Sequence, residues 1–244
     1  MTWEFGGTVL DMVANSGKYG VEEISSPHDL PTVRGRNPKV PLREGSIHGT
    51  KIFDERMISL GMWIIGSSNT DYESRLDTLK KLFGSRSRQT LKRTMGDGTI
   101  RQAQAEVAET LGFKRIGPTA GRFTVDFLLA DPHMRSNTLT DTGQIAISSS
   151  PHDFTLTNPG TAEDRSAIIT FHGALDNPKL ENLDNSIWCG ITGAIGSSSQ
   201  YDLDVGEFTI NPSDYDNLIH SGDNYFMVLN PGDNNMRLTT NTTG

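Results

Sequence analysis

Residues 45–66 read GSIHGTKIFDERMISLGMWIIG, a glycine-bearing, charged approach to ten residues of strict alternation. From Arg56 onward the even positions Ile58, Leu60, Met62 and Ile64 are all apolar. The odd positions Met57, Ser59, Gly61, Trp63 and Ile65 are mixed. A period of two describes an extended strand with one face committed to a core and the other only partly covered. Such a strand belongs in a sandwich or a barrel, and its partners must come from elsewhere in the chain.

Working outward, SSNTDYESRLDTLKKLFGSR (67–86) reads as the one clear helix. Thr70 and Glu73 have capping-box spacing, and Tyr72, Leu76, Leu79 and Phe83 recur on one stripe that faces a core. Asp71 and Glu73 near its start and Lys80 and Lys81 near its end match the helix dipole, with Gly84 as the expected residue after its C-terminus. RQTLKRTMGDGTIRQAQAEV (88–107) follows as a hairpin turning at Gly96-Asp97-Gly98. Both arms are polar, and an isolated hairpin with so little apolar surface is marginal in water. It is therefore expected on the wet edge of the sheet or against a neighbouring subunit. GRFTVDFLLADP (121–132) returns to alternation, with Phe123, Val125, Phe127 and Leu129 directed at the core.

After Ser136 only β signals occur. Phe154 and Leu156 alternate, AIITFHG reads as a nearly continuous apolar run, and SIWCGIT as a buried strand; Asn-Pro, Pro-Gly and Gly-Asp turns punctuate them. This pattern is that of an antiparallel sandwich. Charge changes at the same place: residues 1–135 carry 19 Lys+Arg against 16 Asp+Glu, residues 136–244 only 3 against 14. Two domains, 1–135 and 136–244, in different surroundings are the expectation. The acidity of the second keeps a protruding domain soluble and disfavours nucleic acid there.

At 244 residues the chain is long enough for two cores. No apolar run reaches membrane-spanning length, and MTWEFGG has neither a basic flank nor an apolar core of a secretory signal. The single Cys189 excludes an intrachain disulfide framework and is expected buried rather than nucleophilic. No nucleophile elbow, zinc-protease helix, Walker loop or dinucleotide fingerprint is present. The six histidines lack ligand spacing, and His172, in an apolar strand, reads as structural. Asp202, Asp204, Glu207, Asp214 and Asp216 lack the calcium-loop pattern and read as acidic turns. No enzyme activity, cofactor or metal is expected. Trp188, Tyr201 and Tyr215 are candidates for stacking on a sugar ring, although aromatic residues at strand spacing more often belong to a core.

The order of Gly49, Phe53 and Arg56 before the alternating strand, then RLDTLKKLF, the hairpin and VDFLLADP, resembles the N-terminal belt domain of siphophage distal tail proteins. The later LTNPGTAEDRSAIITFHG, NPKLENL and LNPGDNNM resemble the same family's C-terminal galectin-like sandwich. The similarity runs from about residue 34 to 238, carried by order and spacing rather than by one motif. It implies a mainly β fold: a sandwich or split-barrel belt domain with one helix and a hairpin, followed by a galectin-like antiparallel sandwich. It implies a structural protein of the virion, made in the host cytoplasm, whose belt domains close into a hexameric ring between the tail tube protein and the tail-tip hub. The GRNPKVPLREGSIHGT loop and the polar hairpin then become contact surface, with Arg34, Arg36, Arg43, His48, Arg88, Lys92, Arg93, Asp97, Arg101 and Gln104 as candidate interface residues. The alternative is a carbohydrate-binding module recognising a host or cell-wall glycan. No membrane and no sequence-specific nucleic acid partner is expected.

Overall fold

The computed structural model describes residues 2–11, 16–25, 29–39, 44–49, 51–109, 112–197, 200–204, 209–211, 217–221 and 227–241. The chain divides into two compact units, 1–139 and 140–244. The first contains β1 (Thr2–Phe5), β2 (Thr8–Val9), β3 (Tyr19–Glu23), β4 (Val33–Arg34), β5 (Ile52–Phe53), β6 (Arg56–Ile65), α1 (Asn69–Phe83), β7 (Gln89–Thr94), β8 (Ile100–Val107), β9 (Lys114–Gly117), β10 (Ala120–Leu129) and β11 (Arg135–Ser136). Its main sheet runs β2-β1-β7-β8-β10-β6-β3, every pairing antiparallel.

Strand β6 is the centre of this unit. It pairs with β10 along its whole length, from Arg56↔Leu129 to Ile65↔Ala120, and with β3 on its other side. Ile58, Leu60, Met62 and Ile64 are fully buried against Phe123, Val125, Phe127 and Leu129, each burial stabilising by roughly 1.5–3 kcal/mol. The odd positions grade from exposed Met57 and Ile65 through half-buried Ser59 and Trp63 to buried Gly61, so one face is fully committed to the core and the other only partly covered.

Helix α1 buries Tyr72, Leu76, Leu79 and Phe83, the four residues of the expected stripe. Its ends differ from expectation. Ser68 is the N-cap, accepting from the Asp71 amide, and Asp71 Oδ2 accepts in return from the Ser67 amide at 2.8 Å; the reciprocal pair sits two residues earlier than Thr70 and Glu73. Gly84 closes the helix in a right-handed conformation, donating to Lys80 O. Gly66 matters for another reason: a Cβ there would lie 2.6 Å from the Tyr72 amide nitrogen and 2.8 Å from its Cα. Backbone cannot yield as a side-chain tip can, so Gly66→Ala is expected to push α1 off the sheet and cost about 1–3 kcal/mol. Denaturant unfolding of the full chain checks it.

The polar hairpin is not at an edge. β7 is covered by β1, with Trp3↔Arg93 and Phe5↔Leu91 in register, and β8 continues to β10. Trp3, Phe5 and Leu91 are buried in the same core as the helix. The apolar surface that the hairpin lacks is supplied by the first strand of its own chain. Side chains also tie together strands far apart in the sheet order: Glu23 on β3 accepts from Trp3 Nε1 (2.9 Å), Arg93 Nε (2.9 Å) and Arg93 Nη2 (3.1 Å). This joins β3 to β1 and β7 in a split-barrel arrangement.

The second unit contains β12 (His152–Asn158), β13 (Ile168–His172), β14 (Leu175–Asp176), β15 (Lys179–Asn182), β16 (Ile187–Ile191), β17 (Ala194–Ile195), β18 (Gln200–Asp204), β19 (Thr209–Asn211), β20 (Leu218–His220) and β21 (Gly232–Thr239). They form a five-stranded sheet β12-β21-β15-β16-β20, a three-stranded sheet β13-β18-β19 and the pair β14-β17. Leu180, Cys189, Ile191, Met236 and Leu238 of the larger sheet share one core with Phe171 and Leu203 of the smaller, which is an antiparallel sandwich. β13 alternates rather than being buried throughout: Phe171 points inward, and Ile168 and His172 are exposed. His172 is therefore a surface residue.

Buried asparagines lock the turns of this unit. Asn234 Oδ1 accepts from the Asn230 amide (2.8 Å) and Asn182 Nδ2 (3.1 Å), while its Nδ2 donates to Asn230 O (2.8 Å) and Gly232 O (3.0 Å). Asn182 and Asn185 both donate to Val228 O, and Asn158 donates to Ala162 O and Leu229 O. The side chains of Asn158, Asn182, Asn185 and Asn234 thus tie the chain turns of this unit together. Asn234→Ala orphans several buried groups at roughly 1–3 kcal/mol each; a net loss of about 2–3 kcal/mol in this unit's unfolding transition is the expected result.

Candidate functional site

The interest of the first unit lies in what its core leaves outside. From Thr32 the chain runs out and returns to Asp54 as a ribbon: Val33↔Phe53 and Arg34↔Ile52 pair, Asp54 N donates to Thr32 O (2.8 Å), and Ile47 N donates to Pro38 O (2.9 Å). The two chains pass so close that a Cβ at Gly49 would lie 2.2 Å from Arg36 O. β4 and β5 pair only with each other, and no described residue from Thr32 to Phe53 is buried. Val33 is 55% exposed and Ile47 53%, with Ile52 and Phe53 also in the open. A two-stranded ribbon with solvated apolar side chains is marginal alone.

The arm is fixed at its root. The Phe53 ring meets the His133 ring edge-on at 5.7 Å. Asp131 accepts from the His133 amide at 3.1 Å, holds its Nδ1 at the same distance, and accepts from Arg135 Nη2 at 2.7 Å. Burial pushes the Asp131 carboxyl up, but the His133 hydrogen bonds and the Arg135 charge outweigh it and hold it at about 2. A depressed carboxylate stabilises the fold above its unfolded range and loses that contribution only as pH falls toward 2, so the root stays ionised near neutrality.

A second feature lies at the other end of β6. Trp63, Ile64, Ile65, Ile116, Ala120, Gly121 and Arg122 line an open notch of about 310 Å³. The Arg122 guanidinium lies 5.8 Å from the Trp63 ring centroid and pairs with Glu22 at 3.2 Å. Trp63 Nε1 is buried and has no hydrogen-bond acceptor among the described residues, an uncommon state for an indole. Sequence reading placed Trp63 on the mixed face of β6 and went no further; an aromatic beside glycine on that face was the signal available.

Of the residues expected at the interface, Arg34, Arg36 and His48 stand together on the exposed arm, while Arg43 lies outside the described residues. Arg88, Asp97, Arg101 and Gln104 are exposed on or beside the hairpin. Asp97 also builds its turn: hydrogen bonds from the Thr99 amide and hydroxyl hold its carboxyl below the usual range. Lys92 is half-buried and paired with Glu4 at 3.0 Å. Arg93 must be withdrawn from the surface, because it is 2% exposed and bound to Glu23.

In the second unit Trp188 is half-buried, and Lys179 Nζ sits 4.6 Å from its ring centroid. Lys179 is held there by Glu181 (3.0 Å), so the ring lies under a cation instead of presenting a bare stacking face. Tyr201 lies on β18, with its side chain outside the described residues; Tyr215 and the acidic residues Glu207, Asp214 and Asp216 lie outside them altogether. Burial pushes the Cys189 thiol up to about 12. Its modification by a disulfide reagent at neutral pH is expected only after unfolding, a tenfold or greater contrast in rate between native and denaturant-treated protein.

Residues 14–129 match the family model of the phage tail protein RIFT-related domain. No curated protein matches the chain. Among solved structures, the Dit protein of phage SPP1, described as a paradigm of the hub adsorption apparatus in phages infecting Gram-positive bacteria, is 13% identical, with a TM-score of 0.61 over 99% of both chains. A chain of the phage p2 baseplate in its activated, strontium-bound conformation is 10% identical, with a TM-score of 0.43 over 98% of this chain and 97% of that one. Residues 14–129 are thus similar to the RIFT-related domain of phage tail proteins, and the chain has the mainly β fold of the SPP1 Dit protein.

Proposed function

We propose that the chain is a structural component of the phage tail tip, or baseplate, whose first unit closes into a six-membered ring joining the tail tube protein to the tail-tip hub. Its second unit, a galectin-like sandwich, stands outside the ring as a spacer or docking surface. The family domain supports a place in the tail. The observation that carries the ring is the arm: a self-paired ribbon, fixed at its root by the Phe53–His133 contact, that leaves Val33, Ile47, Ile52 and Phe53 exposed. A closed ring needs two different patches, each meeting the other on the next subunit. Arg34, Arg36 and His48 of the arm remain candidates for one, and Arg88, Arg101 and Gln104 beside the hairpin candidates for the other. Against the glycan reading, Trp188 is half-buried and Lys179 lies over one face of its ring.

Light scattering on the full chain is expected to give six times the subunit mass, alone at high concentration or with tube protein added. Antibody against the chain should label the tip of intact virions. A protein that stays monomeric under both conditions, or label spread along the tail, would sink the reading.

A further inference from the structure

Residues 131–136, DPHMRS, leave the end of β10 and touch both the root of the arm and the hairpin. The segment is stiff for local reasons. Pro132 has a fixed φ, and Asp131 Oδ1 accepts from the His133 amide at 3.1 Å, the turn that an aspartate forms two residues ahead of itself. The same oxygen holds His133 Nδ1 at 3.1 Å, Asp131 Oδ2 accepts from Arg135 Nη2 at 2.7 Å, and Met134 packs against the first core. The imidazole is thereby set edge-on to the Phe53 ring of the arm. Directly after it the backbone joins the hairpin: Arg135↔Gln102 and Ser136↔Arg101 pair, and Asn137 N donates to Ile100 O at 3.2 Å.

The arm needs such a hold. Its strands β4 and β5 pair only with each other, and only Asp54 and Glu55 separate β5 from β6. The Arg34–Asp54 ion pair at the root is 3.6 Å long and solvent-exposed on both sides, a kind that contributes little. A ribbon on a two-residue link swings about it unless a side chain stops the swing. The His133 ring against Phe53 is a stop, and it is built on the segment that also pairs with the hairpin.

The direction of the arm matters because heterologous contacts close into a ring only at particular angles. The rotation between the two contact patches must be a whole fraction of a turn, about 60° for six subunits and about 51° for seven. A swing of about 10° therefore changes the count or leaves an open chain.

We infer that residues 131–136 form a clamp that fixes the angle between the arm and the hairpin, and thereby sets how many subunits the ring holds. This deepens the ring reading and rests on it. His133 is a positioning residue: it acts through Phe53 and needs no contact with the next subunit. Asp131 orients His133 and Arg135 together, so the arm and the β8 side of the hairpin share one anchor.

The test uses the full chain, in which Cys189 is fully buried and does not compete for thiol reagents. Spin labels go on Ser46→Cys in the arm and Gln104→Cys in the hairpin, both exposed, and the labelled chain is diluted into unlabelled chain. Pulsed dipolar spectroscopy should give one narrow distance for the parent. His133→Ala should at least double the width of that distribution at an unchanged melting temperature. Native mass spectrometry of the unlabelled chains should show a single subunit count for the parent and a mixture of counts for His133→Ala. Phe53→Ala breaks the same contact from the arm's side and should behave alike. His133→Phe keeps an aromatic edge toward Phe53 and should return the narrow distance and the single count. An unchanged width in both alanine variants would overturn the clamp and leave the ring standing. A broadened distance with the parental count would overturn its control of ring size. A parent that forms no ring, alone or with tube protein, would overturn the ring reading and this inference with it.

Discussion

Leu79→Asp is expected to unfold the first unit and leave the second folded. Leu79 is fully buried on α1, between Leu76 and Phe83, in the core that also contains Phe5, Leu91 and Phe127. A carboxylate placed there has no partner, and burying it costs several kcal/mol, a sum comparable to a domain's whole stability of about 5–15 kcal/mol. The second unit has its own core, built on Phe171, Leu180, Cys189 and Met236. Limited proteolysis of the variant should digest residues 1–135 and leave a resistant fragment beginning near Ser136–Thr142. Leu79→Ala, which leaves a cavity but no charge, should cost about 2–5 kcal/mol and lower only the first unit's transition. If Leu79→Asp abolishes both units together, they fold as one cooperative body and the division into 1–139 and 140–244 does not describe its unfolding.

What was legible in the sequence was whatever one segment decides by itself. The face of β6 and the stripe of α1 are set by local periodicity, because each needs only to know which of its sides meets the core. The two-unit division followed from the change in charge and in turn composition. The hairpin misled because its apolar cover, Trp3 and Phe5, lies about 90 residues upstream in sequence, in a strand too short to show a period. Among the asparagines of the second unit, only those before proline stood out as turn residues; Asn182, Asn185 and Asn234 did not. Their burial left no signal, since exposed turns use the same residues. The exposure of the arm agrees with its charged, glycine-bearing sequence. The notch was not legible, because it is assembled from β6, β9 and β10.

Arg93 shows the same limit at its sharpest, and it carries the last prediction. An arginine in a polar hairpin strand reads as surface, yet it is buried, and its carboxylate comes from Glu23, 70 residues away. Glu23→Ala is expected to destabilise the first unit by about 3–5 kcal/mol, the range for removing one partner of a buried pair, because it takes the carboxylate from Arg93 and the acceptor from Trp3 Nε1 together. The Glu23 side chain is 31% exposed, so entering water moves the value toward the low end. Arg93→Met should cost less, since it removes the charge that needs compensation and leaves Glu23 able to reach solvent. The double variant Glu23→Leu/Arg93→Met tests the interpretation, because an apolar replacement of both partners is often neutral. Denaturant unfolding should place it well above Glu23→Ala. A double variant as unstable as the single would show that the ion pair is not what binds β3 to β1 and β7, and that the closure of this barrel depends on the core beneath it.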